Sequence, residues 1–226
     1  MKPTDEQASA WTEAFDSGKF VRKSSEFRDS ISKGGAFDVE SGRYHLYISH
    51  ACPWAHRTLI MRKLLGLEDH ISVDVVDWRM NADGSWSFNP DEEGATADRV
   101  NGESSLEGIY NRAYEGWNES RSIGTVPVLW DKKHATIVNN ESREIIRMFD
   151  QFSKEGFGNG TTLCPPELMQ EIDNMIDANY ESVNNGVYKS GFARTQEAYD
   201  EAVTALFQRL DQLEAHLDGR EWRVGE

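Results

Sequence analysis

The chain has 226 residues and a formal net charge of −15, from 39 acidic against 24 basic side chains. Such an excess keeps a protein soluble and excludes a nucleic-acid-binding surface, which needs clustered Lys and Arg. Two cysteines without metal-ligand spacing exclude a disulfide scaffold and a metal site, and no run is apolar for long enough to span a bilayer. The acidic start "MKPTDEQASAWTEAF" has no signal-peptide core, so the expected location is the cytoplasm, with no membrane or nucleic-acid partner.

Residues 1–37 read as a polar arm, with "FVRKSSEF" irregular and "SKGG" at its end. "RYHLYIS" alternates and is rich in Tyr and Ile, which predicts a strand. "PWAHRTLIMRKLLG" predicts a helix with Leu59, Ile60, Leu64 and Leu67 at helical spacing and Gly66 as its stop. "ISVDVVD" is a second strand, so the three elements form a βαβ crossover. The polar stretch from Trp78 to Ser105 is too long for an ordinary connection and reads as a functional loop or insertion. "LEGIYNRAYEG" predicts a helix, "TVPVLWD" and "ATIVN" two strands joined as a hairpin by "KKH", and "ESREIIRMFDQF" a helix.

The order over residues 38–152 is βαβαββα. Residues 153–165, rich in Gly and followed by Pro165 and Pro166, read as a linker. From 166 to 226 only helical patterns occur. Ile172, Met175, Ile176 and Asn179 share one face, and Val203, Leu206, Leu210, Leu213 and Leu217 share another. The expected fold is an α/β domain followed by helices.

"ACPWAHR" places Cys52 between the first strand and the first helix. Pro53 suits the first helical position, where its missing N–H has no partner to lose. The unpaired N–H groups and the dipole at that end favour negative charge and lower a thiol's pKa from about 8.5 into a range of roughly 3.5–7.5. His56 and Arg57 add positive potential one turn on. Ala55 stands where a dithiol motif has its second cysteine, so a disulfide at Cys52 needs an external thiol to resolve it. A small buried residue is the alternative. Cys164, in the Pro-rich segment, lacks such a setting.

Pro127 inside "TVPVLWD" removes a ladder donor, and Val126-Pro127 is a candidate cis bond in a tight turn. That turn offers the N–H and C=O of Val126 to an extended ligand. Glu141 and Ser142, at the start of the next helix, suit a small zwitterion, the carboxylate for its ammonium and the hydroxyl for its carboxylate. They serve equally as helix caps.

The first domain resembles the thioredoxin-like half of glutathione transferases. More narrowly, "ACPWAHRTLIMRKL", "VPVLWDK", "IVNNESREIIRMF" and "NNGVYKSGFARTQEAYDEAV" resemble the glutathionyl-hydroquinone reductases, the xi class. The resemblance implies glutathione as co-substrate, aromatic glutathione conjugates as partners, and a homodimer formed through a complete helical domain. It implies Cys52 as the catalytic cysteine and Tyr188 as a tyrosine facing the quinone. For glutathione it implies Trp86, Arg121, Val126, Glu141 and Ser142, with Pro127 as the structural cis-proline. The family continues through further helices, so its C-terminal helices are expected to be missing after "GREWRVGE". An omega-like thioltransferase or dehydroascorbate reductase, or a scaffold without enzymatic activity, remain the alternatives.

Overall fold

The computed structural model describes residues 15–22, 24–81, 84–117 and 124–225. They form two units, one drawn from 25–163 and the other from 15–24 and 164–225. The described residues begin with a short hairpin of the second unit, β1 (Phe15–Asp16) and β2 (Lys19–Phe20).

The first unit runs β3 (Tyr44–Ser49), α1 (Pro53–Leu64), β4 (Ile71–Val76), α2 (Leu106–Ala113), β5 (Val128–Asp131), β6 (Thr136–Asn139) and α3 (Ser142–Lys154). This is the βαβαββα order of the sequence. The sheet order is β4-β3-β5-β6. β3 runs parallel to β4 and antiparallel to β5, and β6 pairs antiparallel with β5. All six residues of β3 are buried, as a central strand covered on both faces requires. Successive side chains of β3 point to opposite faces. Tyr44 meets Phe152 of α3 edge-on at 5.7 Å, while Tyr47 on the other face meets Phe88 of the long loop at 5.5 Å. On α3, Ile145, Met148, Phe149 and Phe152 are buried at helical spacing.

Helix α1 differs from expectation. Its buried residues are Ala55 and Thr58, with Leu65 and Leu67 buried just beyond its end. Ile60 and Leu64, four apart, share a face that is 45% and 53% exposed. Neighbouring Leu59 and Ile60 lie about 100° apart around a helix, so Leu59 packs partly buried against the core while Ile60 faces out.

The loop after β4 is ordered by two carboxylates. Asp74 accepts from the backbone N–H of Arg99 at 2.8 Å and from its Nε at 2.6 Å. Asp98 accepts from Tyr47 Oη at 2.9 Å and from the N–H groups of Val100, Asn101 and Glu103. Between the residue before β3 and the last residue of β5, Arg43 and Asp131 form a buried two-bond ion pair at 2.8 and 2.6 Å.

The glycine-rich segment after α3 folds onto the end of α1. Asn159 N–H donates to Leu65 O at 3.0 Å and its Nδ2 to Leu64 O at 2.9 Å, which caps the helix C-terminus. Gly158 makes this approach possible. Its φ is +75°, and a Cβ there would lie 2.1 Å from Leu65 O.

In the second unit a 3₁₀ turn (Pro166–Leu168) leads into α4 (Met169–Asn179), a π turn (Tyr180–Asn184), α5 (Gly186–Gly191) and α6 (Gln196–Leu217). The helical pattern that includes Ile172–Asn179 is thus interrupted after Asn179. Buried asparagines hold the break: Asn179 Oδ1 accepts from Arg209 at 2.8 Å, and Asn185 Oδ1 from Arg22 at 2.8 Å. On α6, Leu206 and Leu213 are buried as expected, but Ala198 and Ala202 complete the face and Leu210 is exposed. Thr195 caps α6 through Ala198 N–H at 3.2 Å. Among the described residues no helix is long and apolar enough to cross a membrane.

Candidate functional site

Cys52 is the N-cap of α1, with φ −100° and ψ 112° and no capping bond from its side chain. Its N–H donates to Ser49 O at 3.1 Å, closing the turn out of β3, and its carbonyl accepts the first helical bond from His56 at 3.0 Å. Pro53 occupies the first turn, which has no acidic residue. The half-buried Sγ lies 3.4 Å from Val126 O, to which the thiol donates. Neither Cys52 nor Cys164 is in a disulfide. Cys164 is buried beside Met169, Sγ to Sδ 3.3 Å.

Val126 is buried, and its peptide to Pro127 is cis, immediately before β5. Glu141 is the N-cap of α3. Its Oε1 accepts from Arg143 N–H at 3.1 Å and its Oε2 from Ser25 Oγ at 3.2 Å. Ser142 follows, almost fully buried, and receives Arg57 Nη1 at 3.4 Å. The Arg57 guanidinium also lies 4.8 Å from the Trp54 ring. Arg57 therefore ties the cysteine's helix to the start of α3. The sequence had marked it only as a charge near Cys52.

The starts of α1, β5 and α3 thus bring Cys52, Val126, Arg57 and Ser142 into one connected site, with Glu141 beside it. Trp86 sits in the loop after β4, half-buried against the core, with its carbonyl accepting from Leu106 N–H at 2.9 Å. It shares no hydrogen bond with those residues among the described ones. Arg121 lies outside the described residues. Tyr188 belongs to α5 of the second unit, where the Arg22 guanidinium lies 4.3 Å from its ring and Phe20 stacks at 6.2 Å.

Two further residues were not visible as site residues in the sequence. Tyr110 of α2 is fully buried, packed at 4.6 Å on Trp117 and 5.7 Å on Phe27. Its hydroxyl donates to Thr125 O at 2.8 Å and accepts from Asn140 Nδ2 at 3.0 Å. The buried face of α2 could have flagged Tyr110 as core. Its partners stand 15 and 30 positions away, where no local pattern reaches. Ser25 reaches Glu141 across 116 positions and left no signal at all.

A mixed sheet in this order, a single cysteine at the start of the first helix and a cis-proline turn beside it define the class of thioredoxin-like domains with one site cysteine. Residues 51–151 match the family Glutathione S-transferase, N-terminal domain. Glutathionyl-hydroquinone reductase PcpF of Sphingobium chlorophenolicum is 46% identical over 96% of this chain and 67% of its own length. Glutathionyl-hydroquinone reductase YqjG of Escherichia coli (strain K12) is 47% identical over 92% of this chain and 65% of its own. Its glutathione-bound structure aligns at a TM-score of 0.82 and 45% identity over 89% of this chain and 67% of that one. The xi glutathione S-transferase of Phanerochaete chrysosporium aligns at a TM-score of 0.86 and 47% identity, covering 91% of this chain and 70% of that one.

The chain belongs to the xi-class glutathione transferases, the glutathionyl-hydroquinone reductase family. It spans about two thirds of the length of the curated relatives it matches.

Proposed function

We propose that this protein reduces glutathionyl-hydroquinones to hydroquinones, with glutathione as co-substrate. The observation that carries the proposal is the setting of Cys52: a half-buried thiol at a helix N-terminus, 3.4 Å from Val126 O at the turn before β5. The thiolate attacks the sulfur of the conjugate. A sulfur–sulfur bond forms, the carbon–sulfur bond breaks, and its electron pair stays on the ring carbon, which takes up a proton and leaves as hydroquinone. A second glutathione, as thiolate, then attacks the glutathione sulfur of the Cys52 mixed disulfide. Oxidised glutathione leaves and the Cys52 thiolate returns.

Each remaining residue has a role in binding. Val126 pairs its backbone with the cysteinyl part of glutathione, Glu141 takes the γ-glutamyl ammonium and Ser142 its carboxylate. Arg57, whose guanidinium already reaches Ser142 Oγ, adds positive charge at that carboxylate. Trp86 contacts glutathione and Arg121 holds its glycyl end. Tyr188 faces the ring of the quinone, to which its hydroxyl donates. A homodimer, resting on the family resemblance, and a cytoplasmic location, resting on the acidic N-terminal sequence, complete the proposal.

The test is glutathione-dependent release of hydroquinone from a glutathionyl-hydroquinone, with intact-mass detection of one glutathione on Cys52 in a single turnover. Turnover of mixed disulfides with none of the conjugate would assign the omega-like thioltransferase activity instead. Sedimentation settles the oligomeric state.

A further inference from the structure

Tyr110 is a buried phenol whose hydroxyl is saturated. Burial pushes its pKa above the ordinary value, so at neutral pH it has one proton to give. That proton goes to Thr125 O at 2.8 Å. The oxygen accepts from Asn140 Nδ2 at 3.0 Å and from Thr125 N–H at 3.3 Å. A hydroxyl has one donor and two acceptor positions, and all three are in use.

Each partner abuts one half of the candidate site. Thr125 immediately precedes Val126. Asn140 immediately precedes Glu141, and its own backbone is pinned to the arm. Its N–H donates to Phe27 O at 3.1 Å, and Phe27 N–H donates to its Oδ1 at 3.2 Å. One oxygen atom on α2 therefore links the turn before β5 to the start of α3 beyond the last ladder pair, Leu129 with Asn139.

We propose that Tyr110, acting with Asn140, is the positioning residue of the ligand site: it fixes the distance between the Val126 backbone and the Glu141–Ser142 helix start for a γ-glutamyl-cysteinyl ligand that must engage both. The proposal rests on the glutathione assignment above. Tyr110 touches neither ligand nor Cys52 in this role. A loosened spacing lowers affinity for a ligand bound at two points and leaves a reagent that needs only the thiol unaffected.

The test uses the whole chain. Tyr110→Phe keeps the ring and removes the oxygen. It breaks all three bonds of the hydroxyl and is expected to weaken glutathione binding about tenfold by calorimetry, or about 1.4 kcal/mol. Alkylation of Cys52 by iodoacetamide should stay within about twofold of the parent rate. Asn140→Asp keeps the acceptor for Phe27 N–H, removes the donor to Tyr110 and should give a similar loss. The double variant should lose little more than either single one, because both break the same link. If one single variant fails to fold, the other still answers the question by the same two readouts. Unchanged glutathione affinity in a variant with lowered melting temperature would show Tyr110 to be core only, and so would fully additive losses. Failure of the parent chain itself to bind glutathione would remove the site assignment, and this inference with it, before any substitution is made.

Discussion

Replacing Glu141 by Gln separates helix capping from ligand binding at the same side chain. Glu141 Oε1 accepts from Arg143 N–H at 3.1 Å and Oε2 from Ser25 Oγ at 3.2 Å. Glutamine keeps a carbonyl oxygen for Arg143 and offers an amide N–H to Ser25, so both contacts survive in neutral form. What folding loses is the charge at a helix N-terminus, worth about 0.3–1 kcal/mol. What glutathione loses is the charge-assisted bond from its ammonium, worth about 1.5–3 kcal/mol, or about 10- to 150-fold in Kd. Chemical denaturation and calorimetry on the same preparation measure both. A Kd within about twofold of the parent, with stability lowered by about 1 kcal/mol, would refute the reasoning and leave Glu141 as a cap.

Cys52→Ala should abolish thiol-dependent turnover while glutathione binding persists, and Cys164→Ala, remote in setting, should keep turnover; the reverse pattern in an enzyme assay would exchange their roles. Gly158→Ala should destabilise by about 2–4 kcal/mol in denaturant, because it strains a φ of +75° and drives a Cβ onto Leu65 O, breaking the Asn159 cap. Asp131→Ala should cost about 3–5 kcal/mol by leaving the buried Arg43 charge without its carboxylate; a denaturation midpoint near the parent's would count against it. Burial pushes the carboxyls of Asp74, Asp131 and Asp150 up, but hydrogen bonds to His45 and Arg99, to Arg43, and to Lys154 and Leu163 N–H outweigh it and hold all three below the ordinary value. The unfolded chain therefore binds more protons, so their stabilisation is present above a pH of about 3.9 and is lost as pH falls through the lowered folded values. Melting temperature should fall as pH drops through that acid range.

The order of strands and helices in the first unit was legible because each element carries its own local period. The single glycine-rich stretch after α3 was read by composition alone, and composition cannot show that Asn159 returns to cap a helix ending at Leu64. The buried face of α1 was legible only in part. Leu59 packs against the core and Leu67 is buried, but Ile60 and Leu64, equally apolar, face out while Ala55 and Thr58 are buried, and size alone does not mark that choice. In the site, Cys52, the Val126–Pro127 turn and Glu141–Ser142 were visible because each is a local signal at an element start. Tyr110, Ser25 and the second role of Arg57 depend on contacts between distant positions, and no window along the chain contains both partners.

The second unit is discontinuous along the chain. Its hairpin is made within the first 20 residues, yet Arg22 waits for Asn185 and Lys19 for Glu201, 182 positions later. During synthesis the ribosome delivers all of residues 25–163 before these partners exist. The arm must stay available until residues 185–201 have been made. Closing a loop of that length is an entropic cost that recurs in every refolding event. A change at Phe20 or Arg22 should thus register in refolding kinetics as a late phase, after the first unit has gained its native fluorescence.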